Sequence, residues 1–145
     1  MGKVFKVFFV LIIIALIAIQ FVEVNRTNPP VTGDLKALPQ VKEILKTSCY
    51  DCHSNETKWP WYSYVAPVSW LIETDVNDGR KHLNFSGWEK LNSSKQAELK
   101  KEIWTVIRDD QMPMGLYTIM HPASKLDITQ KNIIKQWTTG NGFWN

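Results

Sequence analysis

Thr47-Ser48-Cys49-Tyr50-Asp51-Cys52-His53 holds both cysteines of the chain, three residues apart, with a histidine directly after the second. Side chains three apart share one face of a helical turn, so two thiols there can reach two vinyl groups on one planar ligand. Cys-x-x-Cys-His is the attachment signature of a c-type haem, the histidine serving as an axial iron ligand. Other chemistries also use paired cysteines. A thioredoxin-like pair wants a preceding strand in an α/β unit, and no alternating strand pattern occurs. A zinc site needs four ligands, and Cys49, Cys52, His82 and His121 lack a second pair at finger-like spacing. A structural disulfide closing so short a loop stabilises little. The spacing therefore favours one haem c, covalent through Cys49 and Cys52, with His53 on the iron.

An iron held by one histidine has a sixth position to fill or leave open. Downstream, Asp109-Asp110-Gln111-Met112-Pro113 follows an amphipathic stretch. Pro113 pushes Met112 into an extended backbone, which lets its thioether reach the opposite face of the haem. Met112 is the leading candidate for the second ligand; Met114, Met120, His121 and His82 stay open. Aromatic residues are plentiful, and Trp59, Trp61 and Tyr62 are expected against the haem, where they would exclude water. Tyr64, Trp70, Phe85, Trp88 and Trp104 either join them or fill a thin core.

Around the motif the periodicity is helical. Leu38, Val41, Ile44 and Leu45 predict a helix from Gln40 to about Cys52. Pro60 forbids a helix through the run Trp59–Tyr64, which reads as an ordered loop. Pro67 opens a helix from Val68 to about Asn77, stopped by Asp78-Gly79. Ser93 with Gln96 signals a capped helix carrying Leu99, Ile103, Val106 and Ile107 to about Asp110. Asp127 with Gln130 repeats the signal ahead of Ile128, Ile133, Ile134 and Trp137, with Gly140 as the stop. The expected fold class is all-α: a cytochrome c-like helical domain with long loops around the haem, preceded by one transmembrane helix.

The amino-terminal segment is apolar almost without interruption, reading VFFVLIIIALIAIQFV over residues 7–22. Its length suits a bilayer crossing, and Lys3 and Lys6 on its first flank put that end in the cytoplasm by the positive-inside bias. Bulky residues through Ile19-Gln20-Phe21-Val22 argue for an uncleaved anchor over a signal peptide. The expected organisation is a cytoplasmic stub 1–3, an anchor 4–22, a Pro- and Gly-bearing linker 23–37 that lifts the domain off the membrane, and a haem-binding domain 38–145. The chain carries 17 Lys and Arg against 14 Asp and Glu; setting aside Lys3 and Lys6 leaves 15 against 14, a net of +1. That balance gives no basic patch for nucleic acid.

Further motifs carry a resemblance. Thr47 to Thr57, Trp59-Pro60-Trp61-Tyr62, and Gly79-Arg80-Lys81-His82-Leu83-Asn84-Phe85-Ser86-Gly87-Trp88 occur in that order. Met112-Pro113, Met120-His121-Pro122-Ala123 and Leu126 follow, with Asn28-Pro29-Pro30 upstream. Together they resemble the bacterial haem-binding domain family of cytochrome c-like proteins, over nearly everything after the anchor. The resemblance implies an exported monohaem domain attached through Cys49, Cys52 and His53, and names no substrate. The long aromatic insert between His53 and Ser93 departs from the simplest cytochromes c. The expected function is a membrane-tethered electron carrier, non-enzymatic, at the periplasmic side of a bacterial inner membrane, with a redox partner the sequence does not name. The alternative is a haem sensor or small oxidoreductase with an open sixth site, His82 or His121 then acting as a distal acid or base.

Overall fold

Helices account for all the regular structure in the computed structural model, which describes residues 2–140; Met1 and residues 141–145, the tail of the expected domain, lie outside the described residues. Among those residues there is no strand. The first helix, α1 (Gly2–Ala18), continues as a 3₁₀ turn over Ile19–Phe21. Those 20 residues are long and apolar enough to cross a membrane, and no part of α1 is buried in the protein. At 1.5 Å per residue they extend about 30 Å, the thickness of a bilayer's hydrocarbon core.

Six helices follow: α2 (Pro39–Ser48), α3 (Tyr50–His53), α4 (Val68–His82), α5 (Ser93–Arg108), α6 (Gly115–Met120) and α7 (Ile128–Thr139). The apolar stripes of α2, α5 and α7 face one another, so Val41, Leu45, Ile107 and Ile134 are almost wholly buried. Phe85 and Trp88, from a 3₁₀ stretch over Phe85–Lys90, complete this core. Local signals set the ends of α7: Asp127 and Gln130 form the reciprocal capping box, and Gly140 closes it at φ 70°, a backbone that suits glycine.

The structure departs from the sequence reading at four boundaries. The helix expected through Cys52 breaks at Cys49, whose φ of −131° is not helical. The break lets Tyr50 turn inward, where its ring stacks on Phe85 at 5.1 Å and its hydroxyl donates to Asp34 at 2.8 Å. The cap of α5 is Asn92, whose side chain accepts from the Lys95 amide at 2.8 Å, so Ser93 is already the first helical residue. Gln96 instead donates to the carbonyls of Trp88 and Leu91. The helix expected to stop at Asp78-Gly79 runs to His82, because Gly79 packs rather than terminates. A Cβ built on Gly79 would lie 2.5 Å from the Cys52 carbonyl oxygen, so only glycine lets α4 come this close to α3.

The fourth departure is the segment 23–37. It has no helix, as its prolines require, but it is laid along the domain instead of standing free. Thr32 and Gly33 amides donate to the Ser86 carbonyl, the Leu35 amide donates to Phe85, and Leu35 itself is buried. Asp34 takes bonds from Tyr50 and Lys42. Asn28 donates to the Thr57 carbonyl at 2.9 Å. At the far end of the segment, the Gln20 side chain both donates to and accepts from the backbone of Ala66, at 3.1 and 3.0 Å.

Candidate cofactor site

Breaking the helix at Cys49 leaves a single helical turn that carries Cys52 and His53, with Cys49 at its cap. The turn is closed by the Cys52 and His53 amides, both donating to the Cys49 carbonyl. Thr57 ties off its exit by donating from its hydroxyl to the Asp51 carbonyl at 2.7 Å. Arg80 binds it from α4: its guanidinium donates to the Ser54 carbonyl, the Thr57 hydroxyl, the Thr27 carbonyl and the Asn28 side chain, all between 2.7 and 3.0 Å. Strapped from three sides, the turn has little freedom to reorient.

Cys49, Cys52 and His53 line one wall of a cavity of about 280 Å³. Met112, Pro113, Met114 and Tyr117 line it from another side, and Asp75, Asp78, Gly79 and His82 from α4. A second cavity of about 180 Å³ adjoins it, sharing Cys49, His53, His82, Met112 and Pro113 and running under Phe85, Leu99, Ile103 and Ile107. The two form one cleft, its inner end lined by core side chains.

His53 is oriented by the backbone of α4. Its Nδ1 lies 3.0 Å from the Gly79 carbonyl and 3.2 Å from that of Leu83, so Nδ1 carries the proton and donates. That leaves Nε2 with a free lone pair, the tautomer a metal-binding imidazole needs. Burial lowers the His53 pKa, outweighing the two carbonyl bonds that favour its charged form, which keeps the ring neutral. Both cysteines are free, and burial pushes Cys49 up to about 12 and Cys52 up to about 11, so each sulfur holds its proton at neutral pH.

Met112 is brought to the cleft by the end of α5. Asp110 adopts a left-handed backbone, φ 53°, just past the helix, and the Gln111 and Met112 amides both donate to the Val106 carbonyl. Among the other sequence candidates, Met114 lines only the larger cavity, and His82 lines both from an exposed position, 3.3 Å from Glu102. Met120 and His121 line neither. The Nε2 of His121 is 2.6 Å from the Tyr62 hydroxyl, and its ring stacks on Tyr117.

Neither wall includes Trp59, Trp61 or Tyr62, which the sequence reading put against the haem. Trp61 is 72% exposed, and Tyr62 reaches the cleft only through His121 and Tyr117. Of the eight aromatics weighed from sequence, Phe85 alone lines the cleft; Trp88 lies behind it in the core. Tyr117 escaped the sequence reading because nothing in its neighbourhood marks it. Its hydroxyl donates to Asp51 at 2.7 Å, fixing α6 to the thiol-bearing turn. The Gly79 and Leu83 carbonyls were equally invisible, since every residue has one.

The cleft suits a haem. Two uncharged thiols three residues apart, a neutral imidazole with one nitrogen held, and a thioether meet in an apolar slot. Among the described residues no three His, Cys, Asp or Glu side chains converge as a metal-binding group. A family model described as a haem-binding domain matches residues 14–140. Neither the curated proteins nor the solved structures contain a match to the chain. The family match covers most of the sequence, including every residue of the cleft: the chain belongs to the haem-binding domain family.

Proposed function

We propose that the chain is a membrane-tethered c-type cytochrome that relays single electrons on the non-cytoplasmic side of a bacterial inner membrane. The observation that carries this reading is His53, its Nδ1 held by two backbone carbonyls at the end of α4, lining the same largely apolar cleft as two free thiols. Haem binding follows from the family; the covalent link, the ligand set and the electron-relay role are the proposal.

Cys49 and Cys52 would hold the porphyrin through its two vinyl groups, each thiol supplying both the sulfur and the hydrogen of the addition, so that no external oxidant would be needed. His53 Nε2 would serve as one iron ligand and the Met112 thioether as the other, the Val106 carbonyl holding the Met112 backbone in place. Bound haem supplies a one-electron iron couple, and a histidine–methionine ligand pair raises its potential. Phe85, Leu99, Ile103 and Ile107 keep water from the inner part of the slot. The apolar α1, with Lys3 and Lys6 near its amino-terminal end, supports a single crossing with the domain exported.

A second reading rests on His82, which lines both cavities. With Met112 displaced, it would stand as a distal acid or base in a sensor or small oxidoreductase.

The test is full-length protein matured in a host that builds c-type cytochromes. Intact mass should rise by one haem, and the reduced spectrum should be low-spin and unmoved by carbon monoxide. Bare thiols overturn the covalent assignment, and prompt carbon monoxide binding transfers support to the second reading. Met112→Ala should convert the iron to high-spin; an unchanged spectrum removes Met112 from the ligand set.

A further inference from the structure

The sequence led to a picture of a domain held away from the bilayer by a loose linker. The hydrogen bonds of Gln20 contradict that picture. Gln20 lies in the final turn of the apolar span, one residue before its end at Phe21. Its side-chain amide makes a two-way pair with the Ala66 backbone, so Ala66 is held at the depth of the span's last turn. Three more contacts continue the seam. Asn25 donates its amide to Glu73, Arg26 donates to the Ser63 carbonyl, and the Arg26 guanidinium stands 4.4 Å over the Tyr64 ring.

The surface around Ala66 is apolar and uncovered. Trp61 is 72% exposed, Leu71 64% and Tyr64 59%, with Val65 and Val68 exposed between them. Val68 and Leu71 share a face of the first turn of α4, and Trp61 and Tyr64 bracket the 3₁₀ turn over Trp61–Tyr64 that packs on that helix. A soluble face of this composition is unfavourable. At the boundary between headgroups and acyl chains it is the usual composition, since tryptophan and tyrosine collect there, presenting an apolar body to the lipid and a polar edge to water.

We propose that the segment Trp61–Leu71 is a second membrane contact, seated in the headgroup boundary of the leaflet where α1 emerges, so that the domain lies against the bilayer. The occupant is the lipid surface, identified by continuity: the patch flanks Ala66, the residue to which the end of the span is bonded. The proposal rests on the membrane-tethered reading above, and the test separates the two.

Full-length protein is placed in phosphatidylcholine vesicles containing a phosphatidylcholine whose acyl chain carries a photoactivated diazirine near the carbonyl. After illumination, labelled peptides are identified by mass spectrometry. Label on both α1 and residues 61–71 is the expected result. Label on α1 alone overturns the second contact and leaves the tether standing; absence of label from α1 overturns the tether itself and with it this proposal. The combined variant Trp61→Asp, Leu71→Asp changes exposed side chains only. It should cut label on the 61–71 segment about fivefold by removing apolar burial at the interface, with label on α1 unchanged. Equal label in variant and parent overturns the proposal, and a variant that loses its helical circular dichroism is replaced by Leu71→Asp alone, read the same way.

Discussion

The side of the domain where α2 and α5 meet α7 closes on itself, whereas α3, α4, α6 and another face of α5 close around a slot. In the first, Leu45 and Ile134 are shut away completely, and Trp88 sits tilted between Phe85 and Trp137. In the second, α6 buries no residue at all, Leu116 on it is 83% exposed, and the side chains facing inward line a cavity. A domain of about a hundred residues has little apolar surface to spare. This one uses it on one side and leaves the other to be completed by a large planar apolar group.

Four outcomes would break or sharpen that contrast. The largest effect belongs to the slot: Cys49→Ser with Cys52→Ser should abolish covalent haem, read as the absence of haem-linked protein on denaturing gels. If haem stays attached, the slot is not filled through these sulfurs. Next comes the closed half, where Ile134→Ala should cost about 3.5 kcal/mol in denaturant unfolding, while the same kind of truncation in the open half, Leu116→Ala, should stay within about 0.5 kcal/mol. Equal costs would erase the distinction between the halves. Gly79→Ala, at the seam of the open half, should cost about 2.5 kcal/mol, because the new methyl meets backbone rather than a movable side chain.

The smallest effect is a pH dependence at Asp34. Burial raises its pKa, but the bonds from Lys42 and Tyr50 together outweigh burial, and the net shift is downward. A carboxyl with a lowered folded-state pKa adds stability above its unfolded value, and that stability is lost as pH falls through the folded value. Melting temperature should therefore drop as pH falls below about 4 in the parent chain and drop less in Asp34→Asn. Parallel curves would show that the Asp34–Lys42–Tyr50 cluster contributes nothing.

What could be read in advance was whatever is local. The capping box of α7 needs only Asp127 and Gln130, and both act as their spacing says. The Cys-x-x-Cys-His turn is equally local, so its three side chains were legible as a group. The break at Cys49 was not, because it answers to Phe85 and Asp34, residues 35 and 16 positions from Tyr50 along the chain. Composition correctly denied residues 23–37 a helix and said nothing of the carbonyls that receive their amides. That the aromatic run lies off the cleft wall was not legible for a related reason: a tryptophan suits a porphyrin, a core and a lipid boundary alike, and only position distinguishes them.

Arg80 has a practical consequence for anyone wishing to cut a soluble fragment. Two of its four acceptors, the Thr27 carbonyl and the Asn28 side chain, come from the stretch that composition marks as dispensable. A fragment begun at Leu38 would strip the guanidinium of half its partners, take Asp34 from Tyr50 and uncover the hole left by Leu35. Begun at Asn25, it keeps all three, so the working edge of the folded unit lies thirteen residues before Leu38.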